Sequence, residues 1–254
     1  MNFHIHPDYI ELKDLIYDIP EGKYRTRKVH RNIRNTVEDI ILDDKIYVLK
    51  KYKVPNWINQ IAYSLFRKSK ARRSFEYAQR LLENGIETAK PVAYIEERNF
   101  IFFRDSYFIS EYIDHPVIND VDFLYIPGNE QLREDFISFT ANLHDRQIIH
   151  KDYNASNIFY YKQDDHYKFA LVDINRMKFG KGSLWLYMKI FNQLDVKLSQ
   201  MYDMIGRYAI KRELDIADCL TVLLLHRKYF EFRSKSKDFL KVITRNKRRK
   251  RKPN

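Results

Sequence analysis

The chain has 254 residues, 44% of them hydrophobic and 15% aromatic, which excludes a disordered chain and is ample for one domain or two closely packed lobes. Its 46 Lys and Arg against 34 Asp and Glu give a net charge of +12, so anionic partners are favoured over cationic ones. The single cysteine, Cys219, rules out a disulfide within the chain, points to a reducing compartment and reads as a buried thiol inside the apolar run Ile216 to Leu225.

The stretch Met1 to Lys13 carries no apolar core of signal-peptide length. No segment approaches the roughly 20 apolar residues that cross a bilayer, so the expected place is the cytoplasm, free or peripheral on a membrane face. Thr36 to Leu42 and Lys45 to Lys50 read as strands around Asp43-Asp44, a tight hairpin turn. Strand alternation puts Ile46, Val48 and Lys50 on one face, a lysine two positions after a small apolar residue. Kinases use that pair to meet adenine and the phosphates of ATP.

Next comes Pro55 to Phe66, in which Trp57, Ile58, Ile61, Ala62, Leu65 and Phe66 recur at helical spacing, followed by Arg67 to Arg73, where five of seven residues are basic. Two readings stand: a helix packed on the small lobe, or an amphipathic helix at a lipid interface whose cationic cluster meets anionic headgroups. Arg72 to Asn84 then reads as a helix with Phe75, Ala78 and Leu82 on its apolar stripe and Gly85 as the left-handed cap. Glu76 projects from it, either to pair with Lys50, as in kinase small lobes, or to pair with Arg72 or Arg80 at helical spacing.

Pro91 to Ile95 and Asn99 to Ile113 supply further strands, ending in Ser110-Glu111-Tyr112-Ile113, where a hinge would fall and the backbone of Glu111 and Ile113 would meet adenine. Asn129 to Arg146 is a helix with Leu132, Phe136, Phe139 and Leu143 at core spacing, and it leads into Ile148-Ile149.

The most informative segment follows: His150-Lys151-Asp152-Tyr153-Asn154-Ala155-Ser156-Asn157, then the strand-like Phe169 to Val172 and Asp173. Phosphoryl transfer to a hydroxyl needs one carboxylate to accept the proton, and an amide and a second carboxylate to hold magnesium against the ATP phosphates. Asp152 fits the base; Asn157 and Asp173 fit the metal ligands. Beyond Phe179, Leu184 to Met204 and Ile216 to Phe232 read as helices. The last stretch, Arg245 to Lys252, has seven basic residues in eight and reads either as a solvated end or as a tail drawn to an anionic surface. No specific nucleic-acid partner is expected.

With these residues in place, the chain resembles the bacterial lipopolysaccharide kinase family, and within it the kinases of 3-deoxy-D-manno-octulosonic acid (Kdo). The resemblance runs from about Lys45 to about Phe179 and rests on Asp152-Tyr153-Asn154-Ala155-Ser156-Asn157-Ile158, similar to that family's DLNAHNI, and on Val172-Asp173-Ile174-Asn175-Arg176, similar to its IDFDR. Arg73 to Glu76 and Gly85 to Val92 fit as well. It implies ATP and Mg2+ as cofactors, phosphate binding by Lys50, pairing of Lys50 by Glu76, proton acceptance by Asp152, and metal binding by Asn157 and Asp173. It also implies an α+β, protein-kinase-like two-lobed fold, with a small β-rich lobe over residues 1–110, a larger helical lobe over 111–243 and a flexible basic tail over 244–254.

The expected function is ATP-dependent phosphorylation of a hydroxyl of Kdo in a lipopolysaccharide or lipid A precursor, at the cytoplasmic face of the inner membrane. Alternatives are another sugar, a small molecule or a protein as acceptor, or a catalytically silent kinase-like scaffold. Asn154 stands where protein kinases carry lysine, which favours a sugar hydroxyl. Two departures accompany the likeness. None of the six glycines lies between Lys23 and Asn84, so the turn His30 to Asn35 would have to cover the phosphates without a glycine-rich loop, and Asp173-Ile174-Asn175 replaces Asp-Phe-Gly.

Overall fold

The structure, a computed structural model, describes residues 1–32, 35–53, 68–99, 102–118, 121–194 and 196–249. The amphipathic stretch Pro55 to Phe66, the middle of the turn His30 to Asn35, and the last five residues lie outside the described residues. In chain order the first elements are β1 (Asn2–Ile5), α1 (Lys13–Asp18), β2 (Arg25–Asn32), β3 (Asn35–Leu42), β4 (Lys45–Tyr52), α2 (Lys70–Glu83), β5 (Glu87–Thr88), β6 (Pro91–Asn99) and β7 (Phe102–Glu111). They are followed by α3 (Glu130–Asp145), β8 (Ile148–His150), β9 (Ile158–Gln163), β10 (His166–Leu171), β11 (Met177–Phe179), α4 (Leu184–Phe191), α5 (Leu198–Lys211) and α6 (Ile216–Arg249).

The chain forms two compact units, both discontinuous: residues 1–119 with 150–177, and residues 120–149 with 178–254. The division therefore differs from a single break at 110/111, because the segment that carries Asp152, from His150 on, folds with the amino-terminal strands. The run from Arg245 also differs from a free tail, since α6 continues through Arg249.

The first unit is built on a six-stranded antiparallel sheet in the order β1-β6-β7-β4-β3-β2. Its central hairpin, β3–β4, closes on Asp43 and Asp44 at φ 47° and 59°, the left-handed pair that a two-residue hairpin turn requires. Alternation then sorts the side chains of β4. Tyr47 and Leu49 join Ile40, Ile95, Tyr107 and Ile109 on one face, under Leu12, Ile16 and Ile19 from the segment Pro7–Glu21. Tyr52, with Tyr94 and Phe108, faces Ala71 and Phe75 of α2.

Ser69 caps α2 by accepting the Arg72 N–H at 3.0 Å. The helix ends as expected at Gly85, whose φ of 67° lets Gly85 N–H reach Leu82 O and Ile86 N–H reach Leu81 O, both at 2.9 Å. Its buried face is Ala71, Ser74, Phe75, Ala78 and Leu81, which keeps the expected Phe75 and Ala78 but takes Leu81 in place of Leu82, which is exposed. A second sheet, β5-β10-β9, completes this unit.

The second unit is helical. In α3 the buried residues include Leu132, Phe136, Ile137, Thr140, Ala141, Leu143 and His144, with Phe139 half-buried. The expected single helix from Leu184 to Met204 is two: α4 stops at Asn192, whose Nδ2 turns back onto Met188 O, and α5 begins at Leu198. Cys219 is a buried free thiol.

Candidate active site

The site grows from the β9–β10 hairpin. Its register pairs Ile158 with Leu171, and the ladder goes one step further, Val172 N–H donating to Asn157 O at 2.9 Å. Asn157 and Asp173, sixteen positions apart in sequence, therefore emerge side by side at the open end of one hairpin.

His150 locks the loop to this hairpin. Its Nε2 lies 2.9 Å from Val172 O, an oxygen that can only accept, so Nε2 carries the proton. That leaves Nδ1 to accept the Asp152 N–H at 3.2 Å, and the ring is the neutral Nε2–H tautomer. Burial holds its pKa below the usual value, against the pull of the Val172 carbonyl and of Asp173 and Asp152, while the charge of Lys50 adds to the lowering. The backbone carbonyl of Asp152 collects Asn154 N–H at 2.9 Å and Asn157 Nδ2 at 2.9 Å. Asn157 commits its amide nitrogen there. Tyr153, fully buried, anchors the loop between them.

Asp173 stands in the left-handed region at φ 54°, ψ 43°, uncommon for a residue with a side chain, and accepts Asn175 Nδ2 on its Oδ1 at 2.6 Å. Lys50, on β4, is half-buried; desolvation pushes its pKa down and the carboxylate of Asp173 pulls it up. Lys50, Asp152, Asn157 and Asp173 are all carried by the first unit.

Glu76 is the correction. It does not turn to Lys50: its carboxylate accepts Lys68 Nζ at 2.7 and 2.9 Å and Arg72 Nε at 2.9 Å. Burial opposes its ionisation, but the bonds from Lys68 and Arg72 outweigh that and hold its carboxyl below the usual range. The helical-spacing alternative, with Arg72, is the one found; the carboxylate acting on Lys50 is that of Asp173.

Val48 sits opposite Asp39 on one side and Ser110 on the other, on the same face as Lys50. Glu111 ends β7 with its N–H donated to Lys90 O at 2.9 Å and its carboxylate accepting the Tyr9 hydroxyl at 2.6 Å, so that N–H is not open to adenine. Ile113 follows two residues later, half-buried. Of the turn expected to cover the phosphates, His30 is engaged through Nε2 with the buried carboxylate of Asp39 at 2.7 Å. Arg176 has its Nη1 3.6 Å from Asp152 Oδ2 and is 63% exposed; nothing in the sequence beyond its place in the segment after Asp173 marked it.

Among the described residues no group of three or more His, Cys, Asp or Glu forms a metal cage. One carboxylate and one amide oxygen suit magnesium held largely by nucleotide phosphates and water, because that ion keeps most of its own shell and takes few protein ligands.

The family model of the "Lipopolysaccharide kinase (Kdo/WaaP) family" matches residues 25–181. The chain belongs to this family. The 3-deoxy-D-manno-octulosonic acid kinase of Mannheimia succiniciproducens is 30% identical over 131 residues, 50% of this chain and 53% of that protein. The enzyme of the same name from Pasteurella multocida is 30% identical over 134 residues, 50% of this chain and 54% of that one. The chain thus spans about half the length of the curated relatives it matches.

Among solved structures, WaaP in complex with acyl carrier protein superposes with a TM-score of 0.62 at 14% identity, covering 93% of this chain and 99% of that one. The Rio2 kinase complex with ADP, Mg2+ and phosphoaspartate from Chaetomium thermophilum gives a TM-score of 0.50 at 14% identity, over 97% and 78% of the two chains. The Kdo/WaaP family member therefore has the protein-kinase-like α+β fold.

Proposed function

We propose that this chain is an ATP-dependent kinase that phosphorylates a hydroxyl of Kdo in a lipopolysaccharide precursor on the cytoplasmic side of the membrane, where ATP is present. The observation that carries the proposal is the gathering of Lys50, Asp152 and Asp173 around one neutral, buried His150, with Asn157 laddered to Val172. In this reading Asp173 and Asn157 Oδ1 would hold magnesium, which would supply positive charge against the ATP phosphates. Lys50 lies beside them; the phosphates would restore the ammonium that burial disfavours. Asp152, its main chain fixed by two amides, presents its carboxylate to the acceptor hydroxyl and takes its proton as the bond from the acceptor oxygen to the γ-phosphorus forms and the bond from that phosphorus to the β-phosphate oxygen breaks, releasing ADP. Val48 lines the adenine side, with the backbone of Ile113 as the remaining hinge contact.

Kdo is an acid as well as a sugar, and the exposed guanidinium of Arg176 beside Asp152 is a cation suited to its carboxylate. That observation favours Kdo over a neutral sugar or a protein side chain. The test is incubation with labelled ATP, magnesium and a panel of Kdo-lipid A, heptose and protein acceptors. Label should enter the Kdo acceptor and vanish for folded Asp152→Ala; preferential labelling of a protein would overturn the sugar assignment, and absence of magnesium-dependent ATP binding would favour a silent scaffold.

The acceptor is a lipid, and among the described residues no helix is long and apolar enough to cross a membrane. Peripheral attachment is supported by α6, where Leu225, Tyr229 and Phe232, four and three residues apart, are exposed on one face and lead into the basic run Arg245 to Lys252. The residues 55–73 would add a second contact. Co-sedimentation with anionic vesicles should be weakened by Phe232→Gln and by high salt; equal binding to neutral vesicles would refute the electrostatic part.

A further inference from the structure

In kinase small lobes the helix after the lysine strand is tied to the phosphate site by a lysine–glutamate pair. Here Glu76 is engaged elsewhere, yet α2 reaches the metal site by another route. Arg73 Nη1 donates to the main-chain oxygen of Asn175 at 2.8 Å. The next residue of the helix, Ser74, has its Oγ 3.1 Å from the hydroxyl of Tyr52, two residues after Lys50 on β4. The side chain of Asn175 lies against that same hydroxyl and acts on its ionisation, and its Nδ2 donates to Asp173 Oδ1 at 2.6 Å.

The chemistry of each group leaves little choice of arrangement. A carboxylate accepts only, so the amide must present its NH2 to Asp173. Asn175 is 6% exposed, so water cannot readily take over the bond when the amide is removed. Asp173 stands in the left-handed region and makes no side-chain cap bond to the turn that follows it, and the short bond from Asn175 holds its carboxylate.

Resting on the kinase reading above, we infer that Asn175 is the positioning residue for Asp173, and that Arg73, Ser74 and Tyr52 couple it to α2. The helix then sets the metal-binding carboxylate directly, in place of setting the lysine. Displacement of α2 would be felt first as weaker metal binding.

The test is titration of Mn2+, followed by electron paramagnetic resonance, into the full chain with a non-hydrolysable ATP analogue. Asn175→Ala should weaken Mn2+ binding about tenfold to a hundredfold, the range seen when a group that orients a metal ligand is removed. Tyr52→Phe, which keeps the buried ring, should weaken it in the same direction by less, while the KM for the acceptor stays unchanged in both. Arg73→Ala combined with Asn175→Ala should cost less than the product of the single losses, because the two act through one link. Folded Asn175→Ala that binds Mn2+ as tightly as wild type would overturn the inference. If that variant does not fold, unchanged Mn2+ binding by Tyr52→Phe overturns it equally. A wild-type chain that phosphorylates no acceptor but shows the Mn2+ losses would sink the kinase reading and leave the link standing; an active wild type with unaffected variants would do the reverse.

Discussion

Replacing Glu76 by Gln separates this structure from the usual kinase arrangement more sharply than any other single change. If Glu76 held Lys50, its loss would cripple catalysis. In the structure its partners are Lys68 and Arg72, and the side chains of Glu76, Lys68 and Arg72 are 30%, 52% and 35% exposed. Partly exposed pairs of this kind are worth a few tenths of a kcal/mol each, so Glu76→Gln should cost less than about 1 kcal/mol of stability. Because the carboxylate acting on Lys50 is that of Asp173, kcat should fall by less than about threefold, under ~0.7 kcal/mol of barrier.

Lys50→Met should behave oppositely. It removes the cation that meets the phosphates, and a loss of about a hundredfold or more in kcat is expected. It also removes a half-buried ammonium whose charge desolvation disfavours, so the melting temperature of the free chain should not fall. Steady-state ATP turnover with a Kdo acceptor, together with thermal melts of both variants, measures all four quantities. A loss of more than ~30-fold in kcat for Glu76→Gln, about 2 kcal/mol, would show that the Lys50–Glu76 pair forms during turnover and would refute this reasoning.

The remaining predictions concern stability. His144, bonded through Nδ1 to the Tyr208 hydroxyl at 2.7 Å and stacked on Tyr187, is pushed by burial from 6.5 down to about 3. It stays neutral in the fold while the unfolded chain binds a proton below pH 6.5, so its contribution is whole above that pH and is lost as the pH falls toward 3, by about 1.4 kcal/mol per pH unit. Urea unfolding at pH 7, 5.5 and 4.5 should show a shallower dependence for His144→Phe than for wild type; parallel curves would contradict the assignment. In Gly182→Ala the new Cβ would lie 2.5 Å from Tyr187 Cε1 and 2.7 Å from Ile149 Cδ1, so a loss of about 1–3 kcal/mol is expected in the same assay. Ser69→Ala removes the cap on Arg72 N–H and should cost about 1 kcal/mol, checked by thermal melting.

Much of the site was legible because its determinants are local. The Asp43-Asp44 turn, the Gly85 cap and the spacing of Asp152, Asn157 and Asp173 are short-range patterns whose geometry follows from the backbone. What escaped depends on long-range partners. The segment Pro7–Gly22 is a succession of short helical turns, too short for a clear period, and its Leu12, Ile16 and Ile19 acquire meaning only against the sheet. The return of β9 and β10 to the first unit cannot be read from their alternation, which does not say which core receives it. The partner of Glu76 was one of two choices that local sequence could not separate, and Asn175 looked like a mere substitution until its neighbours Tyr52 and Arg73 were in place. The break between α4 and α5 was hidden because apolar residues continue on either side of Asn192.

The central claim is most directly tested by mass spectrometry of a Kdo-lipid A acceptor after exposure to the chain, ATP and magnesium. The account predicts a gain of one HPO3 group on the Kdo with wild-type chain and none with equally folded Asp152→Asn. An acceptor left unchanged by the wild type, or a gain that persists in Asp152→Asn, would contradict it.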